Sequence, residues 1–231
     1  ASHGFRDDVV YSFYTARRHV YVLLGNIPQI MNSFDGITAW LNGAILVDRM
    51  DKHSRIIKKK KMIAAINHGA NILIFPEGCW NKSQNDLISK MFPGVYDIAE
   101  ETGAYVAPVV THLEGNTVYS ILGEAFDIRQ YDKTQGMIIL RDKMAGMKYE
   151  LIEKHSQFSR AELGGYDDVQ QYWEDYLEKL ISEVKFYDYE IEANSAFVDK
   201  NISSVEDVFF HLNMVVPDNK NAFLFNKRNH F

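Results

Sequence analysis

The 231-residue sequence predicts an α/β fold, a mixed β-sheet flanked by helices, followed by a helical and irregular acidic C-terminal extension. Three observations predict it. Short apolar runs of strand length alternate with helix-period patterns through residues 1–155, as they do in α/β domains. That alternation stops beyond Lys154. Charge divides in the same way: residues 1–150 carry 17 Lys and Arg against 16 Asp and Glu, whereas 151–231 carry 8 against 15. A near-neutral body, 1–155, and an acidic extension, 156–231, are therefore expected to differ in role.

The elements follow in order. Residues 7–16 read as a helix with Val9, Val10, Phe13 and Tyr14 on one side. Residues 19–25 read as a strand closed by Gly25, 34–41 as a short helix and 44–47 as a buried strand. Ser54 is the expected N-cap of a helix running to His68, with Gly69 behind it. An apolar strand at 71–75 ends at Pro76, and a helix at 94–102 leads through Gly103 to a strand at 105–110. A strand pair is expected across 118–128. Residues 134–153 are strongly helical, because Met137, Leu140, Met144, Met147 and Leu151 recur at steps of three and four. In the extension, 168–184 reads as one amphipathic helix.

Composition excludes several classes. With 46% hydrophobic and 24% charged residues the chain is neither disordered nor fibrous. No run reaches the ~18 apolar residues that cross a bilayer. The net charge of −6 argues against nucleic acid as a partner, since phosphate backbones attract basic surfaces. One cysteine, Cys79, permits no internal disulfide, so a reducing compartment is the expectation. The run Lys58–Lys61 winds around most of a helix and cannot face one ligand; a solvated face and attraction to anionic head groups or CoA phosphates are its two readings.

Four patterns carry possible chemistry. His3 and Asp8 form an H-x4-D spacing at a turn into a helix. There a carboxylate can hold one imidazole nitrogen and leave the other to take a proton from an alcohol. Alternatively, His3 is an exposed histidine beside an Asp-rich helix start that the helix dipole favours anyway. Phe75-Pro76-Glu77-Gly78 follows directly on a strand, so proline ends the strand and Glu77 is presented at the sheet's carboxyl edge, where open α/β folds bind ligands. The rival is a plain turn with a solvated Glu77. Gly43 begins a run that ends in Arg49, a side chain suited to clamp phosphate, or else a surface partner of Asp48 or Asp51. Pro108 interrupts an apolar strand, which alone indicates an edge or a bulge. The lone histidines His53, His68, His112, His155 and His211 show no metal spacing.

In this order, H-x4-D, G-x5-R, F-P-E-G and V-x-P-V, the four patterns resemble the glycerolipid acyltransferase family over about residues 1–128. The third motif, F-P-E-G-x-W-N, is similar to that of bacterial lysophospholipid acyltransferase-like proteins. The resemblance implies that His3 is the base and Asp8 its orienting carboxylate. It implies that Arg49, with Gly43 setting the strand, contacts an acceptor phosphate, and that Phe75, Pro76, Glu77 and Gly78 help bind the acceptor. A carboxylate cannot attract phosphate, so Glu77 is expected to hold Arg49 or a glycerol hydroxyl. Pro108 is implied on the wall of an acyl channel. The implied reaction moves a fatty acyl group from acyl-CoA or acyl carrier protein to a hydroxyl of a lysophospholipid or glycerol phosphate. No cofactor, metal or covalent acyl-enzyme is expected. The implied location is cytoplasmic, peripheral to the membrane's cytoplasmic face. The strand that leads into the histidine in that family is expected upstream of Ala1, which makes the domain truncated at its N-terminus.

Two rivals stand beside it: a metal-dependent hydrolase using His3, Asp7, Asp8 and Glu77, and a non-catalytic module on a lipid surface.

Overall fold

The computed structural model describes residues 1–5, 7–25, 44–47, 51–81, 83, 86–156, 170–172 and 174–175. The expected helix at 34–41, Gly43, Arg49 and most of the acidic extension lie outside the described residues. Contacts divide the chain into two units, one of residues 1–17 and 75–185, the other of 18–74 and 186–231. Parallel and antiparallel strands flanked by helices are both present, as the sequence predicts.

In the unit of residues 18–74, β1 (Val20–Gly25) lies between β2 (Ile45–Val47) and β3 (Asn71–Leu73), all parallel. The first half of β1 pairs with β3, Val20 opposite Asn71, and its second half with β2, Leu23 opposite Ile45. Near-continuous apolar runs are what a parallel sheet needs, since its faces are covered by crossover helices. The crossover here is α2 (Lys52–Asn67), which packs on β2 and β3 and buries Ile57, Met62 and Ala65. Its N-cap is Asp51 and not Ser54. The Asp51 carboxylate accepts from the His53 and Ser54 N–H groups, so Ser54 is a donor to the cap. The lysine run does wind around the helix: Lys60 is exposed and Lys61 buried.

The other unit holds the N-terminal segment, α1 (Asp8–Ala16), α3 (Gly94–Thr102), the hairpin β4 (Val109–Glu114) and β5 (Thr117–Leu122), a 3-10 turn (Ile128–Gln130) and α4 (Lys133–His155). The strand expected at 105–110 starts only after Pro108, which has no N–H to give a ladder. Val106 makes an isolated bridge to Phe126, and that bridge replaces the second strand expected before residue 128. Gly123 is needed here for space: a Cβ on it would sit 2.8 Å from Pro108 Cγ and 2.9 Å from Met147 Sδ. The core joins Ile88, Tyr96, Ala99, Val110, Ile128, Leu140, Met144 and Leu151. Among the described residues, no helix is long and apolar enough to cross a membrane.

Candidate active site

The local fold of residues 1–8 places His3. Asp8, the first residue of α1, is fully buried, and its Oδ2 accepts from the Gly4 and Phe5 N–H groups at 2.7 and 3.2 Å. A carboxylate at a helix N-terminus is where the dipole favours it. The His3 Nδ1 lies 3.0 and 2.9 Å from Asp8 Oδ1 and Oδ2. With Asp8 ionised, Nδ1 is the donor, which makes Nε2 the acceptor in the neutral ring. Nε2 has no partner among the described residues, and the His3 side chain is 19% exposed.

The F-P-E-G segment closes on His3 from a distance of more than seventy residues. Glu77 is 3% exposed, and each of its oxygens takes one backbone N–H: Oε1 from His3 and Oε2 from Ser89, both at 2.8 Å. The His3 carbonyl in turn accepts from the Asn81 N–H at 2.7 Å. His3 is therefore pinned on both sides of its Cα by the turn that follows β3. Its ring packs against Phe75, with centroids 4.8 Å apart, and Trp80, 5.5 Å apart. Pro76 is buried and its carbonyl accepts from Phe92 N–H. Gly78 has φ +71°, and a Cβ there would lie 2.9 Å from Phe92 Cε2, so both backbone and space require glycine. Cys79 is exposed, its Sγ 3.8 Å from the Glu77 carbonyl.

Behind this arrangement lies a group that the motifs do not include. Lys148, on α4, donates from Nζ to the Thr111 carbonyl at 2.7 Å. Burial lowers its pKa to about 8, against the attraction of the Glu77 and Asp8 carboxylates, which raises it. Burial likewise pushes the Glu77 carboxyl up, opposed by the two backbone N–H bonds. The signal for Lys148 is readable in the sequence. It lies four residues after Met144 and three before Leu151, at a position of the apolar stripe where a lysine is out of place. Ser89 and Asn81 carry no such signal, because they act through backbone N–H groups.

The structure thus brings His3, Asp8, Phe75, Pro76, Glu77 and Gly78 together. Pro108 is buried at the base of the hairpin, where its carbonyl accepts from Gly123 N–H. Gly43 and Arg49 lie outside the described residues. Asp7 is exposed at the N-cap of α1 without a side-chain cap bond.

Residues 2–112 match the family model described as acyltransferase. That match is consistent with the glycerolipid acyltransferase family. The match includes every motif from His3 to Pro108 and stops inside β4, before the helix that bears Lys148. No curated protein and no solved structure matches the chain. The match supports a general acyltransferase role, and the family it describes takes an acyl donor and a lipid acceptor. Among the described residues, no three His, Cys, Asp or Glu side chains are gathered to hold a metal ion.

Proposed function

We propose that this acyltransferase domain moves a fatty acyl group from acyl-CoA or acyl carrier protein to a hydroxyl of a lysophospholipid or glycerol-phosphate acceptor. The observation that carries the reading is the His3–Asp8 pair, with Nδ1 engaged and Nε2 without a partner among the described residues, on a part-exposed ring. His3 Nε2 accepts the acceptor's hydroxyl proton as the oxygen attacks the thioester carbonyl. The C–S bond then breaks, and the imidazolium returns the proton to the departing thiolate. Asp8 holds the ring and steadies the imidazolium, so no metal and no covalent acyl-enzyme enters. Arg49, with Gly43 before it, clamps the acceptor phosphate, and Pro108 contributes to the apolar wall for the acyl chain. The domain works at a membrane surface, where lysolipid acceptors reside, and on its cytoplasmic side.

The metal-dependent alternative fits less well, because the Asp8 oxygens and both Glu77 oxygens are already taken by N–H donors. The test is thiol release from an acyl thioester, with lysophosphatidic acid, lysophosphatidylethanolamine or glycerol 3-phosphate as acceptor, with and without EDTA. Acylated product formed equally in EDTA supports the reading. Thioester or ester hydrolysis that depends on metal, with no acylated product, overturns it.

A further inference from the structure

We propose that Lys148 is a positioning residue of the same site, its ammonium balancing the buried Asp8 and Glu77 carboxylates and seating the segment that carries His3. The first observation is connectivity. Lys148 Nζ donates to the Thr111 carbonyl, the Thr111 N–H donates to Ser2 Oγ at 3.2 Å, and the Ser2 N–H donates to the Val109 carbonyl at 2.9 Å. Residue 2 is thus laid alongside β4 by the same strand whose carbonyl holds the ammonium, and the next residue is His3. The second observation is charge. Asp8 is fully buried and Glu77 almost so, and two desolvated carboxylates in one site are expensive unless a cation compensates them. The titratable groups that bear on the ammonium are the Asp8 carboxylate from α1, the Glu77 carboxylate from the turn after β3 and, from β4, the His112 imidazole, whose affinity for the proton is lowered by burial and by Lys148 and which lies 3.3 Å from Glu114. The two carboxylates attract the ammonium, so it remains protonated through neutrality although burial lowers its affinity for the proton. When it does lose the proton, the carboxylates stand uncompensated beside the His3 segment, and turnover falls on the alkaline side.

The activity arm of the test rests on the acyl-transfer reading; the titration arm does not. Lysine side-chain NMR on the whole protein should find Lys148 titrating near 8, apart from the surface lysines near ~10.4, and Glu77→Gln should move it lower still by removing a counter-charge. In the rate profile the alkaline fall should share that midpoint. Lys148→Arg, whose guanidinium keeps its charge, should restore turnover and push the fall to higher pH. Lys148→Met should reduce kcat at pH 7 by about ten- to a hundredfold, with the thioester KM little changed. Lys148 titrating with the surface lysines, or an alkaline fall that Lys148→Arg leaves in place, overturns the proposal. These two readouts remain decisive if Lys148→Met does not fold. Lys148 titrating near 8 in a protein that consumes no thioester supports the charge pairing and overturns the acyl-transfer reading instead.

Discussion

At the residue scale the site depends on which hydrogen bonds have substitutes. His3→Ala removes the proposed base, and kcat should fall by about 10²–10⁴ with a modest change in KM. Asp8→Asn keeps the shape but leaves the imidazolium without its counter-charge, so it too should be slow, and the double variant should be little worse than the worse single one. Additive losses in steady-state kinetics would show that the two do not act as a unit. Glu77→Gln is more informative about architecture. A carboxamide has one acceptor oxygen, so either the His3 or the Ser89 N–H must face an NH₂ group. A buried donor left unpaired costs about 1–3 kcal/mol, or a melting temperature lower by roughly 2–10 °C in a chain of this size. kcat should drop with it, because His3 loses one of its two backbone anchors. An unchanged melting curve would show that the Glu77 bonds contribute nothing.

At the element scale the turn after β3 is the working part. It joins the strand to the segment that anchors His3, and Gly78 is where its backbone takes a left-handed conformation under Phe92. Gly78→Ala should destabilise by about 1–3 kcal/mol, from backbone strain and contact with the ring together. Pairing it with Phe92→Ala relieves the contact and leaves the strain, so the double variant should be less destabilised than the sum of the singles. Strict additivity in denaturant titrations would place Phe92 away from Gly78. Much of this is legible in the sequence. The H-x4-D pair is local, so its spacing reports its geometry, and Phe75–Gly78 announces a turn through proline and glycine. The partners of Glu77 are not legible, because backbone N–H groups at residues 3 and 89 have no side-chain signature. The cap of α2 moved from Ser54 to Asp51 for a related reason: both residue types cap well, and only the chain path decides which one turns outward.

At the scale of the whole molecule, the ammonium proposed to position His3 sits on a helix beyond the matched residues, and folding desolvates it. That gives stability a pH dependence. In the unfolded chain Lys148 keeps its proton up to about 10.5, in the folded chain only up to about 8. Between those values the unfolded state binds the extra proton, so stability should rise with pH over that window. Relative to Lys148→Met, the natural chain should gain at most about 3 kcal/mol from pH 8 to pH 10. Chemical denaturation of both proteins at several pH values checks this; a difference that does not vary with pH removes the buried ammonium from the account. Lys148 also marks where sequence reading stops short. An apolar stripe interrupted by lysine signals a buried cation, but the stripe alone does not say which anions await it.

The clamp on His3 has a consequence in time. The His3–Glu77 bond spans 74 positions and the Ser2–Thr111 bond spans 109, so neither can form before distant parts of the chain have met. Helices such as α1 and α4 need only neighbours and form within microseconds, whereas loop closure over such spans comes late. On dilution from denaturant, helical ellipticity should therefore return before acyl-transfer competence; identical rate constants for the two would refute the order. A nascent chain then carries His3 and Asp8 before it carries Glu77 and Thr111, and stays inert until those distant bonds have closed.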